Sequence, residues 1–73
     1  MTFKIGRWTI SVQQSPDHYC TPGSTCEVMV WDEDTDERWA KNMDGMKFRE
    51  GVAGWVTPQQ LAHLIKTIGA FYK

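Results

Sequence analysis

The stretch Val56-Thr57-Pro58-Gln59-Gln60-Leu61-Ala62-His63-Leu64-Ile65-Lys66-Thr67-Ile68 decides the fold, because each end and one whole face of it have a helical explanation. Thr57 predicts an N-cap, Pro58 stands at the first helical position where a missing amide costs nothing, and Gln60 lies three residues on to close a capping box. Val56 and Leu61 are spaced as a hydrophobic staple. Leu61, Leu64, Ile65, Ile68 and either Phe71 or Tyr72 repeat at helical spacing, so residues 58 to about 71 are expected to form an amphipathic helix. Gln59, His63, Lys66 and Thr67 take the other face, and Gly69 weakens the last turn by about 1 kcal/mol relative to alanine.

Such a helix needs an apolar surface to cover, and the residues before it supply strands. Trp8-Thr9-Ile10-Ser11-Val12-Gln13 alternates, placing Trp8, Ile10 and Val12 on one face. Phe3 and Ile5 join that face if Gly6-Arg7 forms a bulge, since the parity changes between Ile5 and Trp8. In Cys26-Glu27-Val28-Met29-Val30-Trp31, Cys26, Val28 and Val30 are expected to face the core and Met29 and Trp31 the opposite side. Residues 14 to 24, with Ser15-Pro16-Asp17-His18 and Thr21-Pro22-Gly23-Ser24, read as a long loop.

Beyond Trp31, Asp32-Glu33-Asp34-Thr35-Asp36-Glu37 places five carboxylates in six residues. An antiparallel hairpin with this run at its tip is the simplest account, Arg38 to Met43 pairing back on Cys26 to Trp31. A short helix over residues 35–43 competes, because Thr35 can cap it and Trp39 and Met43 are four apart. Asp44-Gly45 is a turn, Met46-Lys47-Phe48-Arg49 alternates again, and Gly51-Val52-Ala53-Gly54 reads as an irregular approach to the helix. The fold class is α+β: a small antiparallel sheet of three or four strands with one C-terminal amphipathic helix packed on one face.

With 73 residues, 41% of them hydrophobic, the chain is one domain that buries only about 60% of the surface its unfolded form exposes. Four tryptophans, three phenylalanines and two tyrosines are therefore committed mainly to the core. No apolar run nears the ~20 residues of a membrane span, and the first residues lack the apolar middle of a signal peptide, so a cytoplasmic setting is expected. Cys20 and Cys26 are too few for a disulfide framework, and reduced thiols are expected. A zinc site from Cys20, Cys26, His18 and His63 is disfavoured by their spacing.

Catalysis finds no support either. Asp32, Asp34 and Asp36 match the first, third and fifth ligands of a calcium loop, but Glu37 replaces the required glycine and Met43 the bidentate glutamate. Acid–base work by these carboxylates needs a cleft that raises one pKa, which a hairpin tip lacks. No phosphate-binding glycine loop or nucleophile–base arrangement stands out, so no catalytic residue, metal or cofactor is expected.

Two binding readings remain. Met29, Trp31, Trp39 and Met43, with the acidic rim of Asp32, Glu33, Asp34, Asp36 and Glu37, describe a protein-docking patch, because methionine adapts, tryptophan anchors and clustered charge selects a partner. The alternative is single-stranded nucleic acid bound through Lys41, Lys47, Phe48 and Arg49, with rings stacking on bases and cations meeting phosphates. Nine acids against eight bases weigh against direct nucleic-acid binding.

In length and α+β economy the chain resembles the small host-takeover proteins of lytic bacteriophages, most closely the RNA polymerase-binding regulators of Xanthomonas phages. The resemblance rests on size and architecture over the whole chain, not on a motif, and carries no residue assignment with it. It implies a protein, monomeric when free, that works in the host cytoplasm. Its partner would be host RNA polymerase, with inhibition of initiation by loosening the sigma factor and an effect on termination, all achieved by contact.

Overall fold

The computed structural model describes residues 1–16, 18, 20–21 and 23–73. The turn and loop readings at Asp17, Tyr19 and Pro22 lie outside the described residues. Four strands, β1 (Thr2–Ile5), β2 (Trp8–Gln13), β3 (Cys26–Trp31) and β4 (Val52–Val56), form an antiparallel sheet in sequence order, followed by helix α1 (Pro58–Thr67) and a wider π turn over Ile68–Tyr72. This is the expected α+β class with a four-stranded sheet.

The helix begins as its sequence predicts. Thr57 Oγ1 accepts from the Gln60 amide at 3.2 Å and Gln60 Oε1 accepts from the Thr57 amide at 2.9 Å, closing the capping box. Leu64 and Ile68 are fully buried, Leu61 and Ile65 half-buried, and Gln59, His63 and Lys66 exposed. Phe71 points to solvent, whereas Tyr72 meets the Trp39 ring edge-on with centroids 5.2 Å apart.

The other elements correct the sequence reading in three places. Gly6-Arg7 is not a bulge but the turn of a β1–β2 hairpin: Ile5 pairs with Trp8 and Phe3 with Ile10, which brings all four to the core face. Gly6 supplies the left-handed φ of 59° that this two-residue turn uses. Second, Val52–Val56 is a full strand, entered through a tight Glu50-Gly51 turn in which Arg49 and Val52 exchange both backbone hydrogen bonds at 2.9 and 3.0 Å. Third, the 38–43 segment forms neither the expected strand nor the competing helix.

The reason for the third correction lies at Val30. Its carbonyl accepts from the Trp39 amide at 3.0 Å, but its own amide donates to the Gly51 carbonyl at 2.8 Å. The return from the acidic run thus pairs with β3 only at Trp31–Arg38, and β4 takes the remainder of that edge. Gly51 is required there, because a Cβ would stand 2.7 Å from the Val30 carbonyl oxygen.

Trp8, Ile10, Cys26, Val28, Val30, Ala53 and Val56 line the sheet's inner face, and Leu64 of α1 and Ile68 of the π turn after it cover them. Trp39 and Met46 complete this core from the 38–49 segment, with Met43 and Phe48 packed half-buried against it. Met46 is therefore a core residue, and Met43, expected in the docking patch, packs half-buried against that core instead. Asp44-Gly45 is the expected turn, with Met43 and Met46 exchanging backbone hydrogen bonds across it at 3.2 and 2.7 Å.

Candidate functional site

The helix covers one face of the sheet only, so cross-strand register shows what the other face presents. Lys4 opposes Thr9, Thr9 opposes Trp31, Ser11 opposes Met29, and Met29 opposes Val52, so these residues share the face opposite the helix. The Trp31–Arg38 and Arg49–Val52 bridges add two arginines to the same side. Met29, Trp31 and Val52 are half-buried, and Thr9 between its neighbours is closed off from solvent. Met29 and Trp31 thus lie on one face, flanked by cations.

At its β4 end this face opens into a cleft of about 560 Å³ lined by Arg38, Arg49, Glu50, Val52, Gly54 and Trp55. Trp55 is 59% exposed and sits at a β-bulge, where the pairing of β3 with β4 slips between Cys26 and Val28. Its φ of 52° is left-handed, as is that of Glu50 at 51°. Asp36 and Asp44 share the conformation, but Asp adopts it comparatively readily, whereas a bulky tryptophan does so at a cost of about 1–2 kcal/mol. Trp55 is not among the residues expected from sequence, because Gly51-Val52-Ala53-Gly54 before it reads as an irregular approach to the helix and not as a strand. The available signal was a large aromatic following Gly54, since glycine inside a strand marks a bulge.

The acidic run is a folded loop and not a uniformly exposed tip. Asp32 is buried; its Oδ2 accepts from Arg7 Nε at 2.7 Å and its Oδ1 from the Asp34 and Thr35 amides at 2.9 and 3.4 Å. Arg7 Nη2 also donates to Glu37 Oε1. This fork ties the loop to the β1–β2 turn. The Arg7 hydrogen bond, assisted by the two amides, holds the Asp32 carboxyl below the usual carboxylate range against the opposing effect of desolvation. Asp36 pairs with Arg38 at 3.6 Å, which leaves Glu33 and Asp34 as the tip's carboxylates without an ion pair among the described residues. Asp32 therefore holds the loop together and is withdrawn from any docking role. Trp39 likewise faces the interior, its ring 5.1 Å from Trp8 and its Nε1 donating to the Lys41 carbonyl at 3.0 Å.

The four residues of the nucleic-acid reading do not share one stacking platform. Phe48 packs against the core, Lys41 lies over the Tyr72 ring at 5.3 Å, Lys47 is exposed, and Arg49 lines the cleft. Both thiols are free. Cys26 Sγ donates to the Val56 carbonyl at 3.4 Å, and burial, with a smaller contribution from Cys20, pushes its pKa up. Among the described residues no group of three or more His, Cys, Asp or Glu is placed to hold a metal, and no helix is long and apolar enough to cross a membrane.

Fold and surface together define an α+β domain that presents a mixed apolar and cationic face beside a stapled acidic loop. No protein-family model, no curated protein and no solved structure matches the chain.

Proposed function

We propose that the chain is a protein-binding regulator that acts by contact, without catalysis, in the cytoplasm of a bacterial host. Its partner in this reading is host RNA polymerase, inhibited at initiation through a loosened sigma factor and affected at termination, as its likeness to phage host-takeover proteins implies. The observation that carries the binding reading is the sheet face opposite the helix. Met29, Trp31 and Val52 form a half-buried apolar strip there with exposed Trp55 beside it, in a chain short enough to need nearly every apolar residue inside. Glu33 and Asp34 at the rim add charge that steers encounter with a basic surface.

Co-elution of purified polymerase and the protein on a sizing column tests the proposal. A stable complex is expected at low salt, weakened by Met29→Glu on the strip and slowed in formation by Glu33→Lys with Asp34→Lys. Absence of a complex at low salt, where steering is strongest, removes polymerase as the partner. A complex indifferent to all three substitutions removes this face as the contact.

A further inference from the structure

The two edges of the sheet differ. β4 is interrupted by its register slip and by the left-handed backbone at Trp55, which spoils it as a template for a further strand. β1 pairs with β2 residue for residue, from Thr2–Ser11 to Ile5–Trp8, without interruption. Met1 and Val12 exchange both backbone hydrogen bonds at 2.9 and 2.7 Å. Phe3–Ile10 and Ile5–Trp8 are therefore the next bonded pairs, and Thr2 and Lys4 turn their own N–H and C=O groups away from the sheet. Both residues are exposed, and among the described residues no other segment bonds to their backbone. On the helix side of the same strand Phe3 and Ile5 are half-buried and Met1 is 72% exposed, an apolar row that outruns its cover.

We infer that the β1 edge pairs antiparallel with the β1 edge of a second copy, with Phe3 on the two-fold axis. Only residues whose backbone points outward can bond across this edge, so Thr2 and Lys4 must pair among themselves. Thr2 facing Lys4 of the second copy, and Lys4 facing its Thr2, bonds every outward group of both residues. Sliding one strand by two residues leaves either Thr2 facing Thr2 with Lys4 unpaired, or Lys4 facing Lys4 with like charges opposed. Lysine guards edge strands against indiscriminate pairing. Here it excludes one register and is accommodated by another. The same register sets the two Phe3 rings opposite each other as a non-hydrogen-bonded pair, where side chains are closest, and Met1 opposite Ile5 on either side. A strand of four residues makes a small contact, so the dimer dissociates on dilution. It goes beyond the protein-binding reading and leaves the Met29–Trp31 face open.

Sedimentation velocity of the whole chain between about 10 μM and about 1 mM is expected to show a dimer emerging toward the upper end. There the Thr2 and Lys4 amides should exchange more slowly than in dilute solution, with β4 amides unchanged. Lys4→Pro loses no β1–β2 bond, because the Lys4 N–H points outward, so it keeps the fold and abolishes the dimer. Thr2→Glu places a carboxylate opposite Lys4 at both ends of the contact and should tighten the dimer roughly threefold. Met29→Glu should leave it unchanged, which separates this association from docking through the opposite face. Should Lys4→Pro fail to fold, Thr2→Glu and the exchange pattern decide alone. The inference is overturned by a monomer at every concentration, by a dimer that persists in folded Lys4→Pro, by one that Thr2→Glu weakens or leaves unchanged, or by one lost in Met29→Glu.

Discussion

Single residues carry opposite burdens in this domain. Asp32 stabilises, because its buried carboxylate accepts from Arg7 and from the Asp34 and Thr35 amides at once. Its pKa is lowered on folding from an ordinary value of 3.8, so its contribution is fully present above that value and is lost as pH falls through the lower folded one. Asp32→Asn should therefore unfold at lower urea than the parent at pH 7, and the gap should close progressively below about pH 4. A gap unchanged down to pH 2 would mean that the carboxylate's charge has no part in holding the loop. Trp55 acts in the other direction: its left-handed backbone costs stability that glycine would not incur. Trp55→Gly is expected to stabilise by up to about 1 kcal/mol, while Trp55→Ala, which keeps the strain and removes the ring, gains nothing. Paired urea melts distinguish them, and a Trp55→Gly variant less stable than Trp55→Ala would show that the indole contributes packing outweighing the strain.

At the scale of elements, what was legible in the sequence is what has a local cause. Thr57, Pro58 and Gln60 specify the start of α1 within four residues, and β2 and β3 alternate without interruption. Thr57→Ala removes one half of the capping box and should cost about 1 kcal/mol, read as a lower thermal midpoint, with Thr57→Ser nearly neutral. β4 was hidden because Gly54 and Trp55 interrupt its alternation with a bulge, so Ala53 and Val56 reach the core three positions apart. The expected 38–43 strand was suggested by alternating Trp39, Lys41 and Met43, yet its place beside β3 is decided by competition with a segment more than ten residues further on. No local pattern records the outcome at Val30, where one backbone group goes to each competitor. The candidate site was half legible for the same reason: Met29 and Trp31 follow from strand parity, whereas Arg38, Arg49 and Trp55 meet only once β4 is in place.

For the molecule as a whole, the constraint is how few residues join its parts. Trp39 lies where three of them meet: its own segment between the acidic loop and the Asp44-Gly45 turn, the sheet through Trp8 at 5.1 Å, and the C-terminal turn through Tyr72 at 5.2 Å. Trp8 Nε1 in turn donates to the Tyr72 carbonyl at 3.1 Å, which closes a triangle of ring and hydrogen-bond contacts between the beginning and end of the chain. Truncating a buried tryptophan to alanine costs about 3–5 kcal/mol, and a domain of this length has roughly 4–11 kcal/mol in total at typical values per residue. Trp39→Ala should therefore bring the protein close to its unfolding midpoint at 25 °C, with the loss spread across the molecule rather than confined to the 38–49 segment. Amide hydrogen exchange separates these outcomes. Global weakening accelerates exchange at the most protected amides of β2, β3 and α1 together, whereas an independent flap would accelerate exchange only between Arg38 and Arg49. The second pattern would show that the cleft's two arginines sit on a segment able to open without unfolding the sheet; the first would make the cleft as rigid as the core beneath it.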